Sequence, residues 1–241
     1  MNITVDAMGG DHAPAAIVEG AVYAARETGF SITLVGDEKK VLEELKKFTT
    51  DNLPITIRPA TEVIEMDEPP ALALRRKKNS SIQVAMELVK SGEAQAVVSA
   101  GNTGAVLASS MMILKPLKGI ERPTLATFLP TAKKDQRTIL VDAGANVDCK
   151  AVKLFQFGIM GHAYAQHILG KESPKIGLLS IGEEDHKGNE LSKEAFQLFN
   201  QSGLNFIGNV EAKEVFRGTA DVLVCDGFTG NIALKIGEGL A

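Results

Sequence analysis

No stretch of this 241-residue sequence is long and apolar enough to read as a membrane span. The nearest candidate, Leu154 to Gly170, is broken by Gln156, His162, Gln166 and His167. The opening "MNITVDAMGG" goes straight into a strand-like run with no basic region, signal-length apolar stretch or small-residue cleavage pattern, so the expectation is a soluble, cytoplasmic protein. Cysteine is scarce: Cys149 and Cys225 lie far apart without metal-type pairing, which leaves them packing roles. A basic surplus is also lacking. With 26 Lys and Arg against 30 Asp and Glu the net charge is −4, which excludes a general nucleic-acid binder but not a local basic patch. No G-x-G-x-x-G follows a strand, and G-x-x-x-x-G-K-[ST], G-x-S-x-G and H-E-x-x-H are missing. Dinucleotide, Walker-type, serine-hydrolase and zincin chemistry lose their signatures together. His162 and His167, five apart, would point to different faces of a helix and read as core or interface residues.

What is present is an ordinary globular composition, 44% hydrophobic and 23% charged, so disorder is excluded. Apolar β-branched runs recur at "ITVDAM", "SITLVGD", "PITIRPA", "AVVSAG", "TLATFLP", "TILVDAG", "KIGLLSIG", "NFIGNV" and "DVLVCDG". Helical patterns separate most of them, as at Glu38 to Phe48, Ser81 to Ser91 and Asn189 to Ser202. Near-continuous apolar strands alternating with helices predict a mostly parallel sheet covered on both faces, the three-layer α/β/α doubly wound class. The seven residues "TAKKDQR" are too few for a crossover helix, so the strands on either side pair antiparallel and the sheet is mixed. No linker or repeat marks a boundary, and residues 1–241 read as a single α/β domain.

Five strands run into loops of small and polar residues: "DAMGGDHAP", "SAGNTGA", "DAGANVD", "SIGEEDHKGNE" and "CDGFTGN". In an open parallel sheet such ends can line one ligand crevice. "GNTG", directly before an alanine- and leucine-rich helix, suggests an anion seat, because first-turn amides and the helix dipole favour negative charge. Cationic help is available from "RRKKNSS", where Lys78 precedes the helix-start signature Asn79, Ser80, Ser81, and from Lys187 and Lys235, the latter one turn after Asn231. A phosphotransfer enzyme, an acyl-transfer enzyme and a binding protein all remain open at this point.

"VDAMGGDHAP", "RRKKNSS", "SAGNTGA", "DAGANVD", "EDHKGNEL" and "DGFTGN", in this order along the whole chain, resemble the bacterial phosphate acyltransferases of phospholipid synthesis, the PlsX-type acyl-ACP:phosphate acyltransferases. The resemblance implies reversible transfer of a fatty acyl group from acyl carrier protein to inorganic phosphate, giving acyl phosphate for phosphatidic acid synthesis. It also implies a fold similar to phosphotransacetylases and, more remotely, to isocitrate and isopropylmalate dehydrogenases. It further implies a homodimer at the inner face of the membrane, coupled to a membrane glycerol-phosphate acyltransferase, with no metal or organic cofactor. Phosphate is already ionised at neutral pH and can attack the thioester itself, which accounts for the missing protein nucleophile.

On that resemblance Ser99, Gly101, Asn102, Thr103 and Gly104 are expected to hold phosphate, with Lys78 or Lys187 neutralising it and Asn79, Asn146, Gly227, Gly230 and Lys235 as further contacts. Asn189 and Asn231 are the candidate oxyanion donors, and Asp6, Asp11 and His12 would orient groups or relay a proton, with Asp11 as a helix cap the plainer reading. Arg75, Arg76 and Lys77 suit the acidic surface of a carrier protein. Family members run on for roughly a further quarter of their length, so a C-terminal segment involved in dimerisation and membrane contact is expected to lie beyond Ala241.

Overall fold

The computed structural model describes residues 1–240. They form two compact units, Met1–Leu117 and the residues from Lys118 onward, although nothing at that boundary is rich in the residues that usually make a linker.

The first unit carries a four-stranded parallel sheet in the order β3-β2-β1-β4: β1 (Asn2–Asp6), β2 (Ser31–Gly36), β3 (Ile55–Pro59) and β4 (Ala96–Val98). Strand alternation sorts its side chains onto two faces. Ile32 and Leu34 face one way and pack with Val18, Ala21 and Ala25 of α1 (Ala15–Thr28) and Val41 of α2 (Glu38–Leu45). Val35 faces the other way, onto Ala85 and Leu88 of α4 (Ser81–Lys90). Asp37 caps α2 by accepting from the Lys39 and Lys40 amides, which stops β2 and starts the helix within two residues. Between β3 and α4 the short α3 (Pro70–Arg76) has proline at its first position, where the missing N–H costs nothing. After β4, α5 (Thr103–Ser109) passes into a π-helical turn, Ser110–Leu114.

The second unit has five strands in the order β5-β6-β9-β7-β8: β5 (Ala126–Pro130), β6 (Arg137–Val141), β7 (Ile176–Ser180), β8 (Phe206–Glu211) and β9 (Val222–Val224). The β5–β6 hairpin is antiparallel, Phe128 opposite Ile139, as the seven-residue connection predicts, and every other pairing is parallel. One face packs on α6 (Ala151–Leu169) and α7 (Glu190–Asn200) through Leu154, Phe157, Phe196 and Phe199. The other carries a 3-10 turn, Ala212–Arg217, and α8 (Gly227–Leu240), with Val215 and Leu234 against Leu140, Leu223 and Cys225. Two glycines let α6 lie close: a Cβ on Gly158 would strike the Phe199 ring, and one on Gly161 would strike Val222. Both units are therefore three-layer α/β/α arrangements with parallel-dominated sheets.

No helix among the described residues is long and apolar enough to cross a membrane. The strand leading into "GNTG", which reads as buried, is the edge strand β4, and its Val98 is 54% exposed.

Candidate active site

The five loops divide between the units, two at strand ends of the first and three at strand ends of the second.

In the first unit β1 and β4 are parallel neighbours, so their carboxyl ends meet. The buried Asp6 carboxylate accepts from the Ser99 hydroxyl at 2.7 Å, and Ser99 Oγ in turn accepts from the Gly101 amide at 3.1 Å. Ser99 has one proton to give and gives it to Asp6. Gly9 and Gly101 are glycine because the two loops touch back to back: a Cβ on Gly9 would lie 2.8 Å from the Gly101 nitrogen. Gly104 likewise makes room for Pro70 of α3.

Asn102 is spent on the fold. Its Oδ1 caps α5 by accepting from the Ala105 amide, and its Nδ2 donates to the carbonyls of Glu65, Met66 and Glu68 at 3.0–3.3 Å. Asn102 thereby anchors the segment that precedes α3. Thr103 is exposed, while Asp11 and His12 are exposed and no side chain caps α1. The plainer reading of Asp11 as a helix cap is thus not what the fold uses.

The basic run is divided as well. Arg75 and Arg76 close α3 and stand in solvent. Lys77 Nζ donates to the Val63 carbonyl and to Glu68 Oε2, both at 2.6 Å, and this contact holds the Glu68 carboxyl below its ordinary range, helped by the Glu65 amide. Lys78 borders a depression with Arg58, Glu87 and Glu93, whereas Ser99, Gly101 and Asn102 line a different, very small one with Asp6 and Ser81. Asn79 bonds Thr61 through its side chain, and the cap position of α4 belongs to Ser80.

In the second unit the organiser is Asp142, which composition could not single out. Its buried carboxylate accepts five N–H donors: Leu125, Gly144 and Ala145 amides on Oδ1, and the amide and Nδ2 of Asn146 on Oδ2. Asn146, only 4% exposed, also donates Nδ2 to the Pro123 carbonyl, so both protons of its amide nitrogen are used. The start of α8 lies hard against this loop. A Cβ on Gly227 would sit 2.8 Å from the Asn146 backbone, and one on Gly230 would collide with the Asp142 carbonyl. Close packing therefore explains both glycines. Asp226 caps α8 through the Thr229 amide and hydroxyl.

Asn189 caps α7, its Oδ1 accepting from the Ser192 amide at 2.9 Å, and its Nδ2 has no hydrogen-bond partner among the described residues. Asn231 is exposed just past the first turn of α8, over Gly144, and Lys187 and Lys235 form no ion pair among the described residues. These four remain available to a ligand.

Sequence reasoning missed a cavity of this unit of about 570 Å³. It lies at the carboxyl ends of β7 and β9 and the amino ends of α7 and α8, with Asn189, Ser192, Asp226 and Thr229 among its polar groups. Its apolar wall includes Leu191, Val215, Phe216, Ile232 and Ile236. Thr229, Ile232, Ala233 and Ile236 follow i, i+3, i+4, i+7 spacing, the one signal in the sequence that could have revealed it. Cys225 also borders the cavity, but burial, with the Asp226 and Asp142 charges adding to it, pushes its thiol far up. Cys149 is raised for the same first reason, then by Asp142.

A family model described as "Fatty acid synthesis protein" matches residues 1–241. A phosphate acyltransferase from Geobacter sulfurreducens is 55% identical over 241 residues, taking in 100% of this chain and 69% of the relative. One from Trichlorobacter lovleyi is 53% identical with the same coverage. A solved phosphotransacetylase from Streptococcus pyogenes has a TM-score of 0.73 at 22% identity, covering 100% of this chain and 82% of that one, a likeness of fold. With the motifs in order and the whole chain matched, this protein is an acyltransferase and belongs to the phosphate acyltransferase family.

Proposed function

We propose that this chain transfers a fatty acyl group reversibly from acyl carrier protein to inorganic phosphate, by direct attack of phosphate on the thioester and without a covalent acyl-enzyme. The observation that carries the reading is a division of labour in the second unit. The groups left uncommitted there are donors and cations, Asn189, Asn231, Lys187 and Lys235, while the two thiols that could be acylated are held protonated. Such a set suits a reaction whose nucleophile arrives as an anion. Its tasks are to hold phosphate in line and to stabilise the tetrahedral oxyanion, where one placed donor is worth roughly 100- to 1000-fold.

In this reading Asn189 and Asn231 donate to the oxyanion, and Lys187 and Lys235 neutralise phosphate. Ser99 and Asn102 of the first unit and the Asn146 amide nitrogen of the second are engaged within their own units. Asp6 keeps the first-unit loop in shape through Ser99. Arg75 and Arg76 receive the acidic carrier protein, whereas Lys77 serves Glu68. Residues 1–241 serve this one activity. The product is acyl phosphate for phosphatidic acid synthesis, made by a cytoplasmic homodimer at the inner membrane face and passed to a glycerol-phosphate acyltransferase.

The test is acyl phosphate formation from acyl carrier protein thioester, with and without phosphate, and with acyl-CoA as competing donor. Phosphate-dependent turnover on the carrier-protein thioester, lost about 100-fold in Asn189→Ala, supports the proposal. Turnover confined to short acyl-CoA would replace it with a phosphotransacetylase-like activity.

A further inference from the structure

We propose that Asn209 of β8 is a positioning residue: it holds the loop between β7 and α7 in the shape that presents Lys187 to phosphate. This rests on the acyl-transfer reading above, and it adds a residue that lies 25 positions along the chain from the carbonyl it holds.

Asn209 is only 6% exposed. Its Nδ2 donates to the Glu184 carbonyl at 2.9 Å, and the Lys187 amide donates to the same oxygen, also at 2.9 Å. A carbonyl oxygen has two lone pairs and can serve both donors. The turn from Glu184 to Lys187 is thus closed by its own amide and pinned to the sheet by Asn209. Asn209 Oδ1 is buried without a hydrogen-bond partner among the described residues. Burying an amide with half of its capacity unused costs more than an apolar side chain would, so stability alone does not account for it.

The strand is bent to deliver that amide. Phe206 pairs with Ile176 and Asn209 with Leu178, so β8 carries one more residue than β7 between the two pairs, and Gly208 sits there at φ 92°. Phe206 packs with Phe196 and Phe199 on the α7 face, whereas Val210 packs with Leu223 and Cys225 on the other. In a regular strand Phe206 and Val210 would share a face. The bulge reverses the alternation and turns Asn209 onto the α7 face, where the loop crosses.

Lys187 depends on such a hold. Its stem lies across Gly182, where a Cβ would come within 3.1 Å of its Cγ, and its ammonium forms no ion pair among the described residues. A second tie from this end of β8, Lys213 between Glu211 and Glu183, is largely exposed and screened by solvent, so it adds little. Asn189 is fixed independently by capping α7, so loss of Asn209 reaches Lys187 and spares Asn189.

The experiment compares the unmodified protein with Asn209→Ala, Asn209→Asp, Lys187→Ala and the double variant of Asn209→Ala with Lys187→Ala, at saturating acyl thioester and varied phosphate. Asn209→Ala should raise KM for phosphate about tenfold and leave KM for the thioester within about twofold, since a contact misplaced by about 1 Å costs up to about 100-fold. Asn209→Asp keeps the shape but faces the Glu184 carbonyl with an acceptor, so it should do the same; if either variant fails to fold, the other carries the comparison. In the Lys187→Ala background Asn209→Ala should add less than about twofold, because it acts through the lysine. Equal effects in both backgrounds, or a fall in kcat with KM for phosphate unchanged, overturn the proposal and leave Asn209 a structural residue. Hydrogen exchange at the Lys187 amide needs no turnover: Asn209→Ala should speed it about tenfold, and an unchanged rate overturns the hold. Faster exchange, with KM for phosphate unmoved by Lys187→Ala, supports the hold on the loop and instead overturns Lys187 as a phosphate contact, so the two failures are distinct.

Discussion

Replacing Asp142 by asparagine tests whether the "DAGANVD" loop is scaffold or ligand site. The carboxylate accepts three amides on one oxygen and two Asn146 donors on the other, at 2.7–3.2 Å, with no exposed surface. An asparagine can keep one oxygen's set, and its amide nitrogen then faces donors with a donor. At least two charge-assisted bonds are lost, each worth about 1.5–3 kcal/mol, which puts the gross loss at about 3–6 kcal/mol. Removing a buried charge returns part of that, so a net loss of about 3 kcal/mol is expected. Against a typical total of about 5–15 kcal/mol this is a large share. Urea unfolding followed by circular dichroism, with hydrogen exchange at Leu125 and Asn146 to mark the second unit, measures it. A loss under about 1 kcal/mol would refute the reasoning. The companion Asn146→Ala separates the two roles: as scaffold, stability and turnover fall together; as phosphate ligand, turnover falls with stability unchanged.

Asn102→Ala should cost about 2–3 kcal/mol, from a lost helix cap and lost donors to the 65–68 carbonyls, while Asn102→Asp restores only the cap; melting curves of the three proteins check this. Cys149 and Cys225 should alkylate with iodoacetamide at pH 8 at least about tenfold more slowly than a free thiol, because a raised pKa leaves less thiolate; rapid stoichiometric labelling would contradict it. Glu68 titrates below its unfolded value, so its link to Lys77 is present above the ordinary carboxylate pKa and is lost as pH falls through the lowered one. Proteolysis of residues 62–69 should therefore accelerate toward pH 3, and Glu68→Gln should show the faster rate already at pH 7.

Periodicity in the sequence located all nine strands because each is a run of β-branched and apolar residues with a turn behind it, and the short β5–β6 connection even set the direction of pairing. The division at Leu117 was not legible, since it depends on which contacts close within each half rather than on local composition. For the site, the loops were legible but the employment of their residues was not. Asn102 and Asn146 have the composition of ligand contacts, yet their partners are carbonyls and a carboxylate brought up by folding, up to 37 residues away for Asn102. Asp142 went unnoticed for the same reason. The cavity stayed hidden because its walls come from β7, α7, the Ala212–Arg217 turn and α8, and only the α8 stripe is local in sequence.

The close seating of α6 on its sheet has a consequence for anyone seeking a hardier version of this enzyme. Exchanging helical glycine for alanine is a standard stabilising move, worth about 0.5–1 kcal/mol where space is open, and Gly20 in α1, with nothing within 4 Å of a new methyl, is such a place. At Gly158 and Gly161 the same exchange drives a methyl into Phe199 or Val222, and the sign reverses. A thermostability library that treats all helical glycines alike would gain at Gly20 and lose at Gly158 and Gly161.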